Sequence, residues 1–280
     1  MKHYSYRIVN VFTQAGSPFS GNPLCVFENG DLLDSLAMQA LALQFNLSET
    51  TFILPSERAT ARVRIFTPRY EMPFAGHPTL GTAHVCRSLG LAADSVSLEM
   101  AAGIIAVQAV GCRWTLQANA PSWRELQEPL GQVARMLGVD MHEIMERPLW
   151  VNTGIEQLIV PLANDAAVRR VRLRAEATTL LQNEDGATMV YVFAPAGDGW
   201  IARFFFQQGD AVLEDPATGS ATANLGGWCL ATGRPLPQTL QMSQGEYAGR
   251  PSTLYLHVDP ERQIQVSGDV LELGSGVIAL

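Results

Sequence analysis

Glu71–Gly90 reads EMPFAGHPTLGTAHVCRSLG, and Glu214–Gly233 reads EDPATGSATANLGGWCLATG. Offset by 143 positions, the two align without a gap at Glu71/Glu214, Pro73/Pro216, Gly76/Gly219, Thr79/Thr222, Cys86/Cys229 and Gly90/Gly233. An offset of half a 280-residue chain means one fold used twice. Each copy is a Pro- and Gly-containing turn feeding a helix, and a helix start offers backbone N–H groups with no partner inside the helix. Two such starts brought face to face would grip an anion, or a developing negative charge, from both sides. The chemistry is expected there.

The two helices have no polar face. Between Thr79 and Leu89 the only charged side chain is Arg87, and between Ala221 and Thr232 there is none. A helix apolar all round is buried all round. Gly226-Gly227 costs the second helix roughly 2 kcal/mol of propensity relative to alanines, which points to neighbours packed close against it. Strand-like sequence surrounds each helix: Ile8–Phe12, Leu24–Phe27, Thr51–Leu54, Arg62–Phe66, Ser95–Met100 and Ile104–Val110 in the first half. Gln157–Pro161, Met189–Phe193, Ile201–Phe206, Thr253–Val258 and Gln263–Ser267 follow in the second. Further helices are predicted on Leu33, Leu36, Ala40, Leu41 and Phe45, and over Gly131–Leu137. The fold implied is α+β, with two sheets each wrapped round a central helix. Ala120-Pro121-Ser122 reads as the linker.

Composition removes whole classes of function. The net charge of −8 leaves no basic stripe to neutralise nucleic-acid phosphates. No apolar run approaches the length of a membrane span, and MKHYSYRIVNVF lacks the apolar core of an export signal. Four cysteines without CxxC spacing then read as reduced thiols in a cytoplasmic protein. Lys2 is the only lysine and is expected in solvent, which argues against Schiff-base chemistry and pyridoxal phosphate. The five histidines form no HxxxH or HxH pattern for a metal, and no GxxxxGK[ST] or GxGxxG loop is present.

His77 and Ser220 hold equivalent places in the repeat. Serine is a favoured helix cap, and Pro78 suits a first helical position. Both residues are therefore either plain caps or groups that face a ligand. Histidine is a poor cap, and the positive end of a buried helix favours its neutral form. Asp215, beside Glu214, precedes the second helix and reads equally as a dipole partner. Glu49 lies in NLSETTFIL, where an amphipathic helix passes into an apolar strand. Cys86 and Cys229 suggest a two-thiol racemase, but they lie about 15 Å beyond the helix starts and read as core packing.

GNPLCVF (21–27), NLSETTF (46–52), RIFTP (64–68), PFAGHPTLGTA (73–83), EDPATGSA (214–221) and QGEYAGRPS (244–252) together resemble the PhzF-like phenazine-biosynthesis isomerases, within the diaminopimelate epimerase fold. The resemblance spans nearly the whole chain, with a divergent middle from about 92 to 200. It implies two similar domains, each a mixed β-sheet rolled around a central α-helix, with the active site in the cleft between them. The first would hold residues 1–118 plus a last strand at about 270–280, and the second 119–269. It implies no cofactor, a small carboxylate substrate like dihydro-3-hydroxyanthranilate, and a homodimer. Glu49 matches the family's proton-transferring glutamate, and His77, Asp215 and Ser220 match its substrate-positioning side chains. Gly76 and Gly219 lie in loops whose amides face the ligand. Ala75 and Thr218 stand where epimerases of this fold carry a cysteine, which favours the single-carboxylate branch. A racemase or epimerase using other bases, and a non-catalytic relative binding a small acid or a partner, are the rival readings.

Overall fold

The turn after β1 (His3–Val11) sets the first pairing, because the chain must reverse tightly before β2 (Asn22–Phe27). Gly21 makes this possible: at φ +78°, a Cβ there would lie 2.5 Å from the Val11 carbonyl oxygen. In the computed structural model, which describes residues 1–209 and 211–280, β1 and β2 pair antiparallel from Tyr6↔Phe27 to Val11↔Asn22. Helix α1 (Ser35–Phe45) then crosses over to β3 (Glu49–Leu54), parallel to β2. Asp34 caps α1 by accepting from the Ala37 N–H. Its buried face is Met38, Leu41 and Ala42; Leu36 and Ala40, counted on that face from spacing alone, are exposed. β4 (Ala61–Phe66) returns antiparallel to β3, and the short β5 (Glu71–Met72) pairs back on it. Helix α2 (Gly76–Ser88) carries the chain to β6 (Ser95–Met100), which runs parallel to β4. β7 (Gly103–Val110) and β8 (Arg113–Gln117) complete an antiparallel run.

The second half repeats these pairings in order. β9 (Ser122–Glu125) is antiparallel to β10 (Leu149–Asn152), and α3 (Leu130–Leu137) lies between them in sequence. β10 is antiparallel to β11 (Glu156–Pro161). The short helices α4 (Asp165–Arg170) and α5 (Ala177–Leu180) cross over to β12 (Met189–Ala196), parallel to β11. β13 (Gly199–Gln208) and β14 (Ala211–Asp215) follow antiparallel. Helix α6 (Gly219–Ala231) leads to β15 (Gln238–Gln244), parallel to β13, and β16 (Ser252–Val258) pairs antiparallel with β15. The chain ends in one long strand, β17 (Ile264–Ala279), where sequence reading had separate strands at Gln263–Ser267 and near the C-terminus. Its later part pairs with the whole of β1, from Val11↔Val270 to His3↔Ala279.

Contacts divide the chain into one unit of Met1–Gln117 with Ser267–Leu280, and a second of Ala118–Val266. The division falls after Gln117, and Ala120-Pro121-Ser122 is not a free linker. Ser122 pairs with Asn152, and Pro121 lies under Gly227, where a Cβ would come within 2.8 Å of the ring. In the first unit α2 packs on β1, β2, β3, β6, β7 and β8; in the second α6 packs on β9, β10, β11 and β16. Both helices are buried along nearly their whole length. Their glycines allow that approach. A Cβ on Gly81 would meet the Leu24 side chain at 2.6 Å, and one on Gly226 would meet Ile264 at 2.9 Å. Among the described residues, no helix is long and apolar enough to cross a membrane.

A second duplication lies beside the helices. Arg64 donates from Nε and Nη2 to both Glu71 carboxylate oxygens, and its guanidinium sits 5.0 Å from the Phe66 ring centre. Arg203 does the same to Glu214 and lies 4.8 Å from the Phe205 ring. Phe66 faces Glu71 across β4–β5 just as Phe205 faces Glu214 across β13–β14. Glu214 is thereby committed to holding its strand.

Candidate active site

In the first unit, α1 ends at Phe45 and Asn46 takes a left-handed conformation, its N–H donating to the Ala42 carbonyl. That cap turns the chain directly into β3, with Glu49 its first residue, beside Leu24 of β2. The other five residues of β3 are buried, whereas the Glu49 side chain keeps 16% of its surface exposed. A carboxylate at a strand's first position can keep contact with solvent while its neighbours enter the core. Facing it, His77 is the second residue of α2 and only 6% exposed. Its Nδ1 stands 3.5 Å from Glu49 Oε2.

Burial pulls the His77 imidazole down to about 3, against the opposing effect of a hydrogen bond to the Pro23 carbonyl on β2. At neutral pH the contact is therefore between a carboxylate and a neutral ring, not an ion pair. The shift comes from desolvation, where sequence reading had given the helix dipole the leading part.

Both helix starts lie two residues earlier than the sequence placed them. Ala75 and Thr218 are the N-cap residues, and neither makes a side-chain cap bond. Gly76 and Gly219 are the first helical residues, and His77 and Ser220 are the second residues of their helices rather than caps. The N–H groups of a helix's first turn have no partner inside the helix, and at neither start does the N-cap side chain take one.

In the second unit the entry to α6 is braced by residues that sequence reasoning passed over. Asp215 ends β14, and its Oδ2 accepts from the Thr218 hydroxyl. Gln244, at the end of β15, donates to the Asp215 carbonyl (2.9 Å) and to Thr218 Oγ1 (2.9 Å), while its own oxygen accepts from the Thr218 N–H (3.3 Å). Gly245 follows at φ +83°, and a Cβ there would lie 2.5 Å from the Pro216 carbonyl oxygen. That close approach explains QG in the stretch QGEYAGRPS. Ser220 accepts from Gln157 Nε2 of β11 at 3.0 Å. The structure thus brings Glu49 to His77, and Asp215 to the same turn as Ser220.

The remaining candidates are structural. Cys86 and Cys229 are buried within α2 and α6, and burial pushes their thiols up to about 12 and about 11. Neither forms a thiolate near neutral pH. Among the described residues, no group of three or more His, Cys, Asp or Glu side chains could hold a metal ion.

The chain is similar to known proteins along nearly its whole length. It is 37% identical over 277 residues to an uncharacterized isomerase of Pasteurella multocida, covering 98% of this chain and 93% of that one. It is 33% identical over 291 residues to the trans-2,3-dihydro-3-hydroxyanthranilate isomerase of Pseudomonas chlororaphis, covering 99% and 100%. Among solved structures, a PhzF-family phenazine biosynthesis protein of Bacillus anthracis superposes with a TM-score of 0.87 at 25% identity over the full length of both chains. A hydroxyproline epimerase of Agrobacterium vitis, at TM-score 0.67 and 14% identity over 99% and 93% of the two chains, shares the fold. The family model described as phenazine biosynthesis-like protein matches residues 9–278, the two relatives above are named as isomerases, and the chain belongs to this PhzC-PhzF family.

Proposed function

We propose that this protein is a cofactor-independent isomerase that moves one proton on a small cyclic or unsaturated carboxylate resembling trans-2,3-dihydro-3-hydroxyanthranilate. Glu49 takes a proton from an activated carbon, leaving its electron pair delocalised over the substrate. The resulting carboxylic acid returns that proton to a different carbon of the same molecule. Atoms and charge balance with one base. The observation that carries the reading is the half-buried Glu49 carboxylate 3.5 Å from a buried, neutral His77. Such a ring offers hydrogen bonding without adding a positive charge that would hold the glutamate ionised and weaken it as a returning acid.

The remaining groups bind. The uncapped starts at Gly76–His77 and Gly219–Ser220 would take the substrate carboxylate and the charge that accumulates during proton transfer. Asp215, fixed by Thr218 and Gln244, positions the substrate. We treat the two units as copies of one epimerase-like domain, each a mixed sheet rolled round its buried helix. The repeated pairing order and the duplicated Arg–Glu pair support that treatment. Racemisation through two thiols is disfavoured because Ala75 and Thr218 hold the cap positions and the helix cysteines are buried.

The test is deuterium incorporation from heavy water into trans-2,3-dihydro-3-hydroxyanthranilate and a panel of small carboxylates. Glu49→Gln keeps the shape and removes proton transfer, so it should abolish exchange and leave binding within about threefold. Asp215→Asn should weaken binding and turnover together. Wild-type exchange by Glu49→Gln would place the base elsewhere. A chain that turned over no carboxylate would favour a binding protein.

A further inference from the structure

We propose that Gln157, oriented by Asn224, fixes the Ser220 hydroxyl as a hydrogen-bond donor and so requires an acceptor oxygen on the substrate at that point. This rests on the reading of Ser220 as a substrate contact. The orientation of each amide follows from backbone groups that can act in only one sense. The Thr153 N–H can only donate, and it meets Asn224 Oδ1 at 2.8 Å, with the Thr153 hydroxyl joining at 2.7 Å. The Ile155 carbonyl can only accept, and it takes one hydrogen of Asn224 Nδ2 at 2.9 Å. The second hydrogen of that nitrogen then goes to Gln157 Oε1 at 2.8 Å. Gln157 is left with its nitrogen toward Ser220 Oγ, 3.0 Å away, and must donate. The serine oxygen receives a bond, and its own hydrogen is left over.

Burial makes this polarity permanent. Asn224 is 0% and Gln157 1% exposed, so no water competes for either amide, and turning one over would set like atoms against each other along the chain. Ser220 is half-buried at the end of the relay, and Gln157 is the hydrogen-bond partner of its side chain among the described residues. A hydroxyl already accepting one bond is polarised into a stronger donor. A carboxylate or carbonyl oxygen pairs with that hydrogen; an ammonium or N–H can take only the second lone pair and leaves the hydrogen unpaired. Gln157 and Asn224 are positioning residues that specify what Ser220 can recognise.

A double-mutant cycle with trans-2,3-dihydro-3-hydroxyanthranilate as the probe tests this. Ser220→Ala should lower kcat/KM about tenfold or more, the loss of one charge-assisted hydrogen bond. Gln157→Glu should cost at least as much, because the introduced carboxylate accepts from both Asn224 and Ser220 and leaves the serine presenting lone pairs. In the Ser220→Ala background the same change at 157 should cost under about threefold. A Gln157→Glu protein with wild-type melting temperature and wild-type kcat/KM overturns the proposal, as do losses that multiply through the cycle. If Gln157→Glu does not fold, Gln157→Met takes its place, with a smaller loss again confined to the Ser220 background. Ser220→Ala at the wild-type rate sinks the reading of Ser220 as a contact along with the relay, whereas a Ser220→Ala loss indifferent to position 157 sinks the relay alone. Without substrate, Ser220→Ala should shift the side-chain amide signals of Gln157 and Asn224 in 1H–15N spectra. Unmoved signals overturn the relay whether or not the probe is turned over.

Discussion

At the scale of single residues, His77 combines deep burial with a titratable ring, and that has a measurable consequence. An unfolded histidine titrates near 6.5, while this one titrates at about 3 when folded. Between those values the unfolded chain binds a proton that the native chain refuses, so stability rises with pH and is lost on acidification. The slope from this one group reaches about 1.4 kcal/mol per pH unit. Urea midpoints between about pH 4 and pH 7 should therefore fall more steeply on acidification for the wild type than for His77→Gln. Equal slopes would mean that His77 titrates normally. His77 stood out because a turn-to-helix junction is visible in the chain itself, whereas Glu49, one of 27 acidic residues, stood out only through the family resemblance. Gln157 and Asn224 did not. They lie 67 residues apart, in a strand and in the middle of an apolar helix, and only the packing of α6 on β11 joins them. Gln244 lay inside a recognisable stretch, yet nothing local shows that its amide reaches back to Thr218.

The elements were legible to the degree that their own composition set them. The missing polar face of α2 and α6 announced their burial, and the paired glycines announced the close neighbours. Gly227→Ala should therefore destabilise: its Cβ would lie 2.7 Å from Val151 and 2.8 Å from Pro121, and overpacking of about 1–3 kcal/mol outweighs the propensity gain of about 1 kcal/mol. Gly131→Ala in α3, where a Cβ would meet the Met141 sulfur at 3.7 Å, should instead stabilise by up to about 1 kcal/mol. Denaturant midpoints moving the same way in both variants would undo this account. Short strands were another matter. β5, β9, β10 and β14 are two to five residues long and gain their identity from a partner, as Glu71 does from Phe66. The two Arg–Glu pairs that brace them should differ in worth. Arg203–Glu214 has side-chain exposures of 5% and 14%, and Arg203 also donates to the Val168, Arg169 and Val171 carbonyls. Glu214→Ala should cost about 3–5 kcal/mol by stranding a buried charge. Arg64–Glu71, at 25% and 40%, is open enough that Glu71→Ala should cost under about 1 kcal/mol. Equal costs would show that burial does not set the difference.

For the whole molecule, the repeat was legible because its two helix starts keep their residues at a constant offset, but the order of pairing around them was not. Each unit reaches the same sequence of antiparallel and parallel partners through connections of different length, such as α1 in one and α4 with α5 in the other. The last strand is where the two histories meet. β17 begins in the second unit at Ile264 and ends in the first, so the first unit is discontinuous in sequence and the second is not. Residues 267–280 supply the partner for all of β1, together with the Asp269 carboxylate that takes Arg113 Nε at 2.9 Å and the Glu272 carboxylate that takes Arg7 Nη1 at 2.9 Å. A chain stopped after Val266 should therefore lose protection selectively. Amide hydrogen exchange should rise across β1 and β8, which both pair with β17, and stay slow across β10–β13, whose partners all lie within 118–266. Trp114, buried in the first unit, should become accessible to a quencher while Trp150 and Trp228 stay shielded. Uniform loss of protection in both units would mean that they do not fold as separable bodies, and unchanged exchange in β1 would mean that the terminal strand is dispensable to the unit it closes.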